Sequence, residues 1–517
     1  MQNPSIESIF QRFITPKWIG FYFGAAAVLV HLLTANGYGY FRDELYYLSA
    51  SKHLALGYVD FAPMIAWLVR LNRYVLGDSL LALRFLPALA SAAEIYLTTL
   101  ITKELGGKRF ATTLACLSVF IASGILSMNS YMSMNAFEPL FWLGCTYFLI
   151  LVINRQNPKY WIGFGIIAGF GFLNKDSMVF FGLALLTGLL FTKHRRLFLS
   201  KWFLLGSLLA FLIMMPNLAW EYQHQWATLQ DLRNVQLLGK NTVLSPQAFV
   251  GEQVLELLPP TVLVWLLGLW YFLFHKKGKQ YRFLGLAYLF LTIIVIALKG
   301  KVYYMFPVYP ILFAGGGLAW EKLLSERKFS KAIKVSFLTI LTLSGLVFAP
   351  IVLPILSPQT LIQYQKLFGL QVPKTEVAHS GPLPQYFGDR FGWPEMVANT
   401  AEVYHSLTTD EQNKTVIWAS NYGEAGAVDF FGPKFGLPPV ISAHQNFYLW
   451  GPGNHDINTI ILLGFNQTRA EKLCTQVEAA GTVGQPYAMT EEHFTIYLCR
   501  GLKLPLNEIW PQVKVWN

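Results

Sequence analysis

Apolar runs long enough to cross a bilayer recur along this chain, and every second gap between them is basic. Backbone in hydrocarbon must satisfy its own N–H and C=O groups, which a helix does within itself. Spanning takes about 20 mostly apolar residues, and runs near 17–36, 80–102, 110–127, 137–153, 160–174, 176–192, 202–219, 254–274, 282–298, 302–320 and 334–355 predict about eleven spans. One set of gaps carries Lys103, Lys108 and Arg109; Arg155 and Lys159; and Lys193, Arg195, Arg196 and Lys201. The same set continues with Lys276, Lys277, Lys279 and Arg282, then Lys322, Arg327, Lys328, Lys331 and Lys334. The positive-inside bias assigns these gaps and the N-terminus to the cytoplasm. Segments 37–79, 128–136, the stretch around Asn174–Asp176, 220–253, 299–301 and everything after about residue 356 then face outward.

Composition agrees: 54% of residues are hydrophobic and 13% charged, where a soluble domain carries about 25% charged residues. The net charge of +11 sits in short clusters between apolar runs, so it reads as topology and excludes a nucleic-acid partner. The first apolar run ends in Gly37-Tyr38-Gly39-Tyr40 without a small-residue cleavage site and is expected to remain as a helix. Cys116 and Cys145 fall in expected spans as small apolar residues. Cys474 and Cys499 fall in the outward C-terminal region, where an oxidising compartment permits a disulfide; the sequence leaves that pairing open.

From Ser357 onward Pro, Gly, Asn and charged residues become frequent and no run is long enough to span. Thr415-Val416-Ile417-Trp418, Thr459-Ile460-Ile461-Leu462-Leu463 and Phe494-Thr495-Ile496-Tyr497-Leu498 read as strands, and Arg469–Ala480 as a helix. The chain therefore divides at the sequence level into a membrane domain over 1–356 and a small extracytoplasmic α/β domain over 357–517. That second domain reads as a packing or lid element without chemistry of its own.

Polar residues concentrate in the outward segments. Loop 37–79 opens with Phe41-Arg42-Asp43-Glu44-Leu45-Tyr46-Tyr47 and continues through Lys52, His53, Asp60, Trp67, Arg70 and Arg73. Its pattern predicts one or two interfacial helices joined through Gly57-Tyr58 and a turn at Pro63. Lipid headgroups account for Lys52, Arg70 and Arg73. They do not account for Asp43, because an acid directly after a span gains nothing from an anionic surface. Glu138, followed by Pro139, sits where a helix macrodipole favours an acid, and capping alone explains it. Lys175, Arg233 with Lys240, and Lys299-Gly300-Lys301 ahead of Tyr303 and Tyr304 are outward cations. A phosphate at the membrane surface would give them a reason.

Several stretches in order carry a family resemblance. They are Phe41–Tyr47, Gly57-Tyr58-Val59-Asp60-Phe61-Ala62-Pro63-Met64-Ile65-Ala66-Trp67, Arg84-Phe85-Leu86-Pro87-Ala88-Leu89 and Ser133–Trp142. Gly171-Phe172-Leu173-Asn174-Lys175-Asp176-Ser177-Met178 and Lys301-Val302-Tyr303-Tyr304 follow. Over roughly residues 17–320 the chain resembles the bacterial dolichyl-phosphate-mannose–protein mannosyltransferase-like family of the GT-C membrane fold, relatives of the lipid A aminoarabinose transferases. The resemblance implies a polytopic helical membrane glycosyltransferase at the outer face of the cytoplasmic membrane. Its donor would be a polyprenyl-phosphate sugar and its acceptor a hydroxyl of a lipid, glycan or protein. Asp43 is implied as the catalytic base, with Lys175, Lys301, Tyr304, Arg233 and Tyr303 at the lipid phosphate. Tyr46, Asp60 and Trp67 belong to the loop that would meet acceptor or donor. Glu44 cannot point the same way as Asp43 on a helix and reads as an orienting or headgroup-facing group.

The chain departs from the family at two places. Many members carry an acid where this chain has Asn135, so a second carboxylate falls to Glu138 or is missing. Some carry Glu-Lys-Pro or His-Pro-Pro where this chain has Phe61-Ala62-Pro63, and His224 alone is a poor replacement. A divalent metal is left open and no other cofactor is expected. The alternative readings are a lipid-linked sugar flippase or transporter, for which Glu94 deep in the second span is the motivating residue, and an inactive scaffold whose soluble domain binds a partner and in which Asp43 is dispensable.

Overall fold

The computed structural model describes residues 15–325, 327–370, 376–377, 380–453 and 457–517; the N-terminus assigned to the cytoplasm lies outside them. Its contacts divide the chain into two compact units. One comprises Met1–Asn36, Leu81–Leu218 and Val243–Ile355; the other comprises Gly37–Leu80, Ala219–Thr242 and Leu356–Asn517.

The first unit is all helix. Among the described residues seven helices are long and apolar enough to span: Pro16–Thr34, Leu80–Glu104, Met134–Asn154, Lys201–Gln223, Lys276–Ala297, Val302–Leu324 and Ser330–Val352. Ser177–Leu190 with Lys193–Leu199, and Pro246–Glu256 with Pro259–Phe274, form two sharply bent pairs, while Arg109–Ile121 and Tyr160–Asn174 are shorter apolar helices. The run expected as one span at 110–127 is broken at Ala122, whose backbone is extended (φ −60°, ψ 110°), and resumes as Ser123–Met128.

Helices that share apolar surroundings gain little from burying apolar surface against each other, so close approach depends on small side chains. Gly268 of Val262–Phe274 lies against the carbonyl of Leu312, and Gly316 of Tyr309–Leu324 lies against the carbonyl of Val264. Any Cβ at either position would strike backbone. The buried Arg84 adds a polar tie, its Nη1 donating to the Ala35 carbonyl at 2.5 Å.

The second unit is built on a five-stranded sheet in the order β2-β1-β3-β5-β4. β1 (Thr415–Ala419) runs parallel to β2 (Val440–Ser442) and β3 (Thr459–Leu463). β5 (Phe494–Leu502) runs antiparallel to β3 and β4 (Cys474–Val483). All residues of β1 and β3 are buried, as continuous apolar runs in a covered parallel sheet should be. The expected helix over 469–480 ends early: helix covers only Gln467–Leu473, and Cys474 begins β4. Pairing with β5 and a disulfide from Cys474 to Cys499 (Cα–Cα 5.8 Å) hold that segment extended.

Two segments assigned by sequence to the membrane domain pack into this second unit. Loop 37–79 supplies helices Arg42–Ala50 and Met64–Leu76 with Pro63 at the latter's start, and the segment after the long helix Lys201–Gln223 supplies Ala227–Leu237. Side-chain pairing across long sequence separations, which local periodicity does not encode, decides this grouping. Leu71, Tyr74, Val75 and Leu76 remain exposed on Met64–Leu76, as suits a helix at a membrane interface.

Gly316→Leu places a branched side chain against the Val264 carbonyl and should cost about 1–3 kcal/mol or more through overpacking. Size-exclusion profile and melting temperature of the detergent-purified variant measure this; a wild-type profile would remove the glycine contact from the packing account.

Candidate active site

Two polar clusters stand out, one in each unit. In the helical unit, Lys175 follows the last turn of Tyr160–Asn174 in extended backbone (φ −164°, ψ 136°). Its Nζ donates to Glu138 Oε2 and to Asn135 Oδ1, both at 2.8 Å. It lies 4.8 Å from the ring centre of Tyr304 and 5.6 Å from that of Tyr303. The Ser177 hydroxyl also donates to Glu138. The Lys175 and Glu138 side chains are 12% and 3% exposed, so this is a buried ion pair. An ammonium has three donors, and two are committed here. A small cavity lined by Met128, Asn129, Asn135, Glu138 and Tyr303 adjoins the cluster.

Glu138 therefore does more than complement a helix end. Ser133 is the capping residue, its hydroxyl accepting from the Asn135 N–H at 3.2 Å. Glu138, one turn further on, holds Lys175.

In the second unit, the Glu44 carboxylate accepts the Phe41 N–H at 2.8 Å and closes the first turn of Arg42–Ala50. Glu44 is fully buried, so it orients this helix and does not face headgroups. Asp43, beside it, is half-buried. Its Oδ1 accepts a 2.9 Å hydrogen bond from the Tyr422 hydroxyl. Burial, then the negative Asp43, hold the Tyr422 phenol well above its ordinary pKa, so it remains a neutral donor. The Arg42 guanidinium lies 4.8 Å from the Tyr422 ring centre, and its Nη1 is 4.0 Å from Glu491. Burial opposes the Arg42 charge, but Tyr422, Asp389, Glu492 and Glu376 outweigh it and raise its pKa.

Asp60 joins the same unit. Its Oδ1 accepts from the Tyr46 hydroxyl at 2.9 Å and from Asn446 Nδ2 at 3.2 Å. Burial, followed by repulsion from Asp231, pushes its carboxyl well above the usual range. Asp231 itself accepts from Gln445 Nε2 at 2.8 Å. Trp67 Nε1 donates to the Ala55 carbonyl at 3.0 Å, a structural tie within the loop.

The cations assigned to headgroups divide. Arg70 is exposed. Arg73 binds Asp78 at 2.7 Å and donates to the Leu48 carbonyl and Ser51 hydroxyl, and Lys52 pairs with Asp429 at 2.8 Å. Those two fasten the loop. Of the phosphate candidates, Tyr303 and Tyr304 gather at Lys175. Lys301 is half-buried just before the turn carrying those tyrosines. Arg233 stands exposed on Ala227–Leu237.

The model of the dolichyl-phosphate-mannose-protein mannosyltransferase family matches residues 60–220. The curated lipid A galacturonosyltransferase RgtD of Rhizobium johnstonii is 25% identical over 233 residues, covering 43% of this chain and 48% of its own length. The match thus spans about half of that relative. ArnT from Cupriavidus metallidurans, crystallised with undecaprenyl phosphate, superposes with a TM-score of 0.57 at 13% identity, over 92% of this chain and 97% of its own. The chain has the GT-C fold of ArnT and is similar in sequence, over part of its length, to a lipid A glycosyltransferase. The arabinofuranosyltransferase AftD from Mycobacteria has a TM-score of 0.52 at 12% identity, over 94% of this chain and 40% of its own.

On this GT-C frame the C-terminal region supplies what sequence reasoning missed: Tyr422 on Asp43, and Asn446 on Asp60. A local signal existed, since Asn421 and Glu424 spell a capping box that starts the helix carrying Tyr422. Nothing local named its partner. Among the described residues no three His, Cys, Asp or Glu side chains form a group able to hold a metal ion.

Lys175→Met leaves Glu138 buried without its countercharge and should cost about 3–5 kcal/mol, whereas removing both charges together costs much less. Melting temperatures of Lys175→Met and of Lys175→Met with Glu138→Leu check this. Equal losses in both variants would mean the ion pair is not what holds these helices.

Proposed function

We propose that this protein transfers a sugar from a polyprenyl-phosphate donor to an acceptor hydroxyl at the outer face of the cytoplasmic membrane, with Asp43 as general base. The N-terminus then lies in the cytoplasm and residues 357–517 lie outside. The observation that carries this reading is the Asp43 carboxylate, fixed by Tyr422 yet half-buried rather than sealed, at the start of the helix after the first apolar span. The relative whose crystal structure contains undecaprenyl phosphate shares the fold over nearly the whole chain, which supports a lipid-phosphate donor.

The step balances without a cofactor. The acceptor oxygen attacks the anomeric carbon and its proton passes to Asp43. The bond from that carbon to the phosphate oxygen breaks, and the electron pair leaves with the polyprenyl phosphate. A single displacement of this kind inverts the anomeric centre. Lys175 is the proposed contact for the departing phosphate, with Tyr303, Tyr304 and Lys301 beside it in sequence or space. Glu138 and Asn135 hold its ammonium in one place, and an oriented donor stabilises developing charge without reorganising. Arg233 remains a candidate for the lipid phosphate or its neighbourhood. The acceptor is a lipid, glycan or protein hydroxyl.

A transporter reading rests on Glu94. It is buried in Leu80–Glu104 and accepts a 3.3 Å hydrogen bond from Asn129, an arrangement typical of groups on an intramembrane path.

The test is detergent-purified full-length chain given a polyprenyl-phosphate sugar and candidate acceptors. Asp43→Asn should lower transfer by about 10²–10⁴-fold, the range for losing a general base, with an unchanged melting temperature. Transfer at the wild-type rate would remove Asp43 from the base role. If no donor and acceptor pair releases polyprenyl phosphate, the transporter reading gains.

A further inference from the structure

The C-terminal region, read from sequence as a chemically silent lid, bonds directly to the proposed base. Tyr422 is the first residue of the helix Tyr422–Phe431, and every part of it is fixed. Its backbone N–H donates to His444 Nδ1 at 3.1 Å. Burial pulls the His444 imidazole down to about 3, so it is neutral and able to accept. The Tyr422 ring stacks on Tyr46 (4.5 Å between centres, 23° between planes) and on His444 (5.2 Å, 9°). Its hydroxyl then has one direction, toward Asp43 Oδ1.

The approach itself is written in small residues. A Cβ on Gly423 would stand 2.7 Å from Arg42 Cγ, and one on Gly426 would stand 2.9 Å from the Leu45 carbonyl carbon. Positions 423 and 426 lie on one helical face. Gly426, against backbone, and Gly423, against the Arg42 side chain, let Tyr422–Phe431 settle closely on Arg42–Ala50. The Asn421 side chain caps Gly423 and Glu424 at 2.8 and 3.0 Å and pins the start of the helix.

Resting on the proposed role of Asp43 as base, we infer that Tyr422 is a positioning residue for catalysis: its hydroxyl fixes the Asp43 carboxylate and favours its ionised form. A hydrogen bond to a carboxylate stabilises the charged state and lowers its pKa. It also restricts rotation about the terminal side-chain bond, which is otherwise soft. Among the described residues the charged and titratable groups around Asp43 and Tyr422 include Arg42, Glu44 and Tyr46 on the helix of Asp43, Asp60 from the following loop, His444 stacked on Tyr422, and Glu376, Asp389, Glu491 and Glu492, which act on Tyr422 or Arg42. Replacing Tyr422 by phenylalanine leaves all the others in place.

Tyr422→Phe keeps the stacked ring and removes only the hydroxyl. Losing a hydrogen bond to a charged group should lower kcat about 10- to 100-fold, with KM little changed. The Asp43 pKa rises when the donor is lost, so the acidic limb of the pH–rate profile should move to higher pH by about one unit or more. The melting temperature serves as the control for folding. Should Tyr422→Phe fail to fold, 3-fluorotyrosine at position 422 is a stronger donor and should move the limb to lower pH.

A fixed limb with either side chain overturns the inference, as does a loss confined to KM. If Asp43→Asn is inactive while Tyr422→Phe matches wild type, the positioning role falls and the base assignment stands. If Asp43→Asn retains wild-type transfer, the base assignment falls and the inference with it.

Discussion

The close seating of Tyr422–Phe431 on Arg42–Ala50, across Gly423 and Gly426, is the contact on which the rest of the second unit's chemistry depends. Loop 37–80 follows a membrane helix and would be mobile if left as an interfacial strap. Packed against the C-terminal residues, it becomes a rigid element whose acids have defined partners. Glu44 caps, Asp43 accepts from a phenol, and Asp60 accepts from Tyr46 and Asn446. Three carboxylates within twenty residues thus have three different environments. Of these, Asp43 is the half-buried one, while burial and Asp231 push Asp60 toward its neutral form.

The helical unit solves a different problem. An ammonium buried among helices is costly without a countercharge, so Glu138 and Asn135 accompany Lys175. Lys175, a cation that sequence charge rules leave unexplained, is therefore held by a partner from another helix, in a cluster that also gathers Tyr303 and Tyr304. Asn135 serves as a neutral acceptor, and among the described residues the negative charge paired with Lys175 comes from Glu138.

The helical character of the apolar runs was legible because length and apolar content are local properties. Of about eleven expected spans, however, seven helices among the described residues are long and apolar enough to cross, or nine if each bent pair is one span, since breaks such as that at Ala122 are not carried by hydropathy. β1, β3 and β5 were legible for the same reason, as apolar runs between turns. β4 was not: half of Cys474–Val483 is exposed, with Thr475, Gln476, Glu478 and Thr482 breaking any apolar run, and its pairing with β5 and the disulfide make it a strand. Asp43 could be singled out because an acid at that position is expensive. Its partner could not, since Tyr422 lies 379 residues away and nothing in Asn421-Tyr422-Gly423-Glu424 points to a loop near the N-terminus. Local chemistry marks a site's cost. Pairing at a distance decides who meets it.

A single displacement assisted by one carboxylate leaves a stereochemical signature in the configuration of the product. Proton NMR of the transferred sugar, made from a donor of known anomeric configuration, reads the outcome through its anomeric coupling constant. A product of inverted configuration is expected. A product that retains the donor's configuration would require a covalent or paired-acid route and would contradict the assignment of Asp43 as sole base.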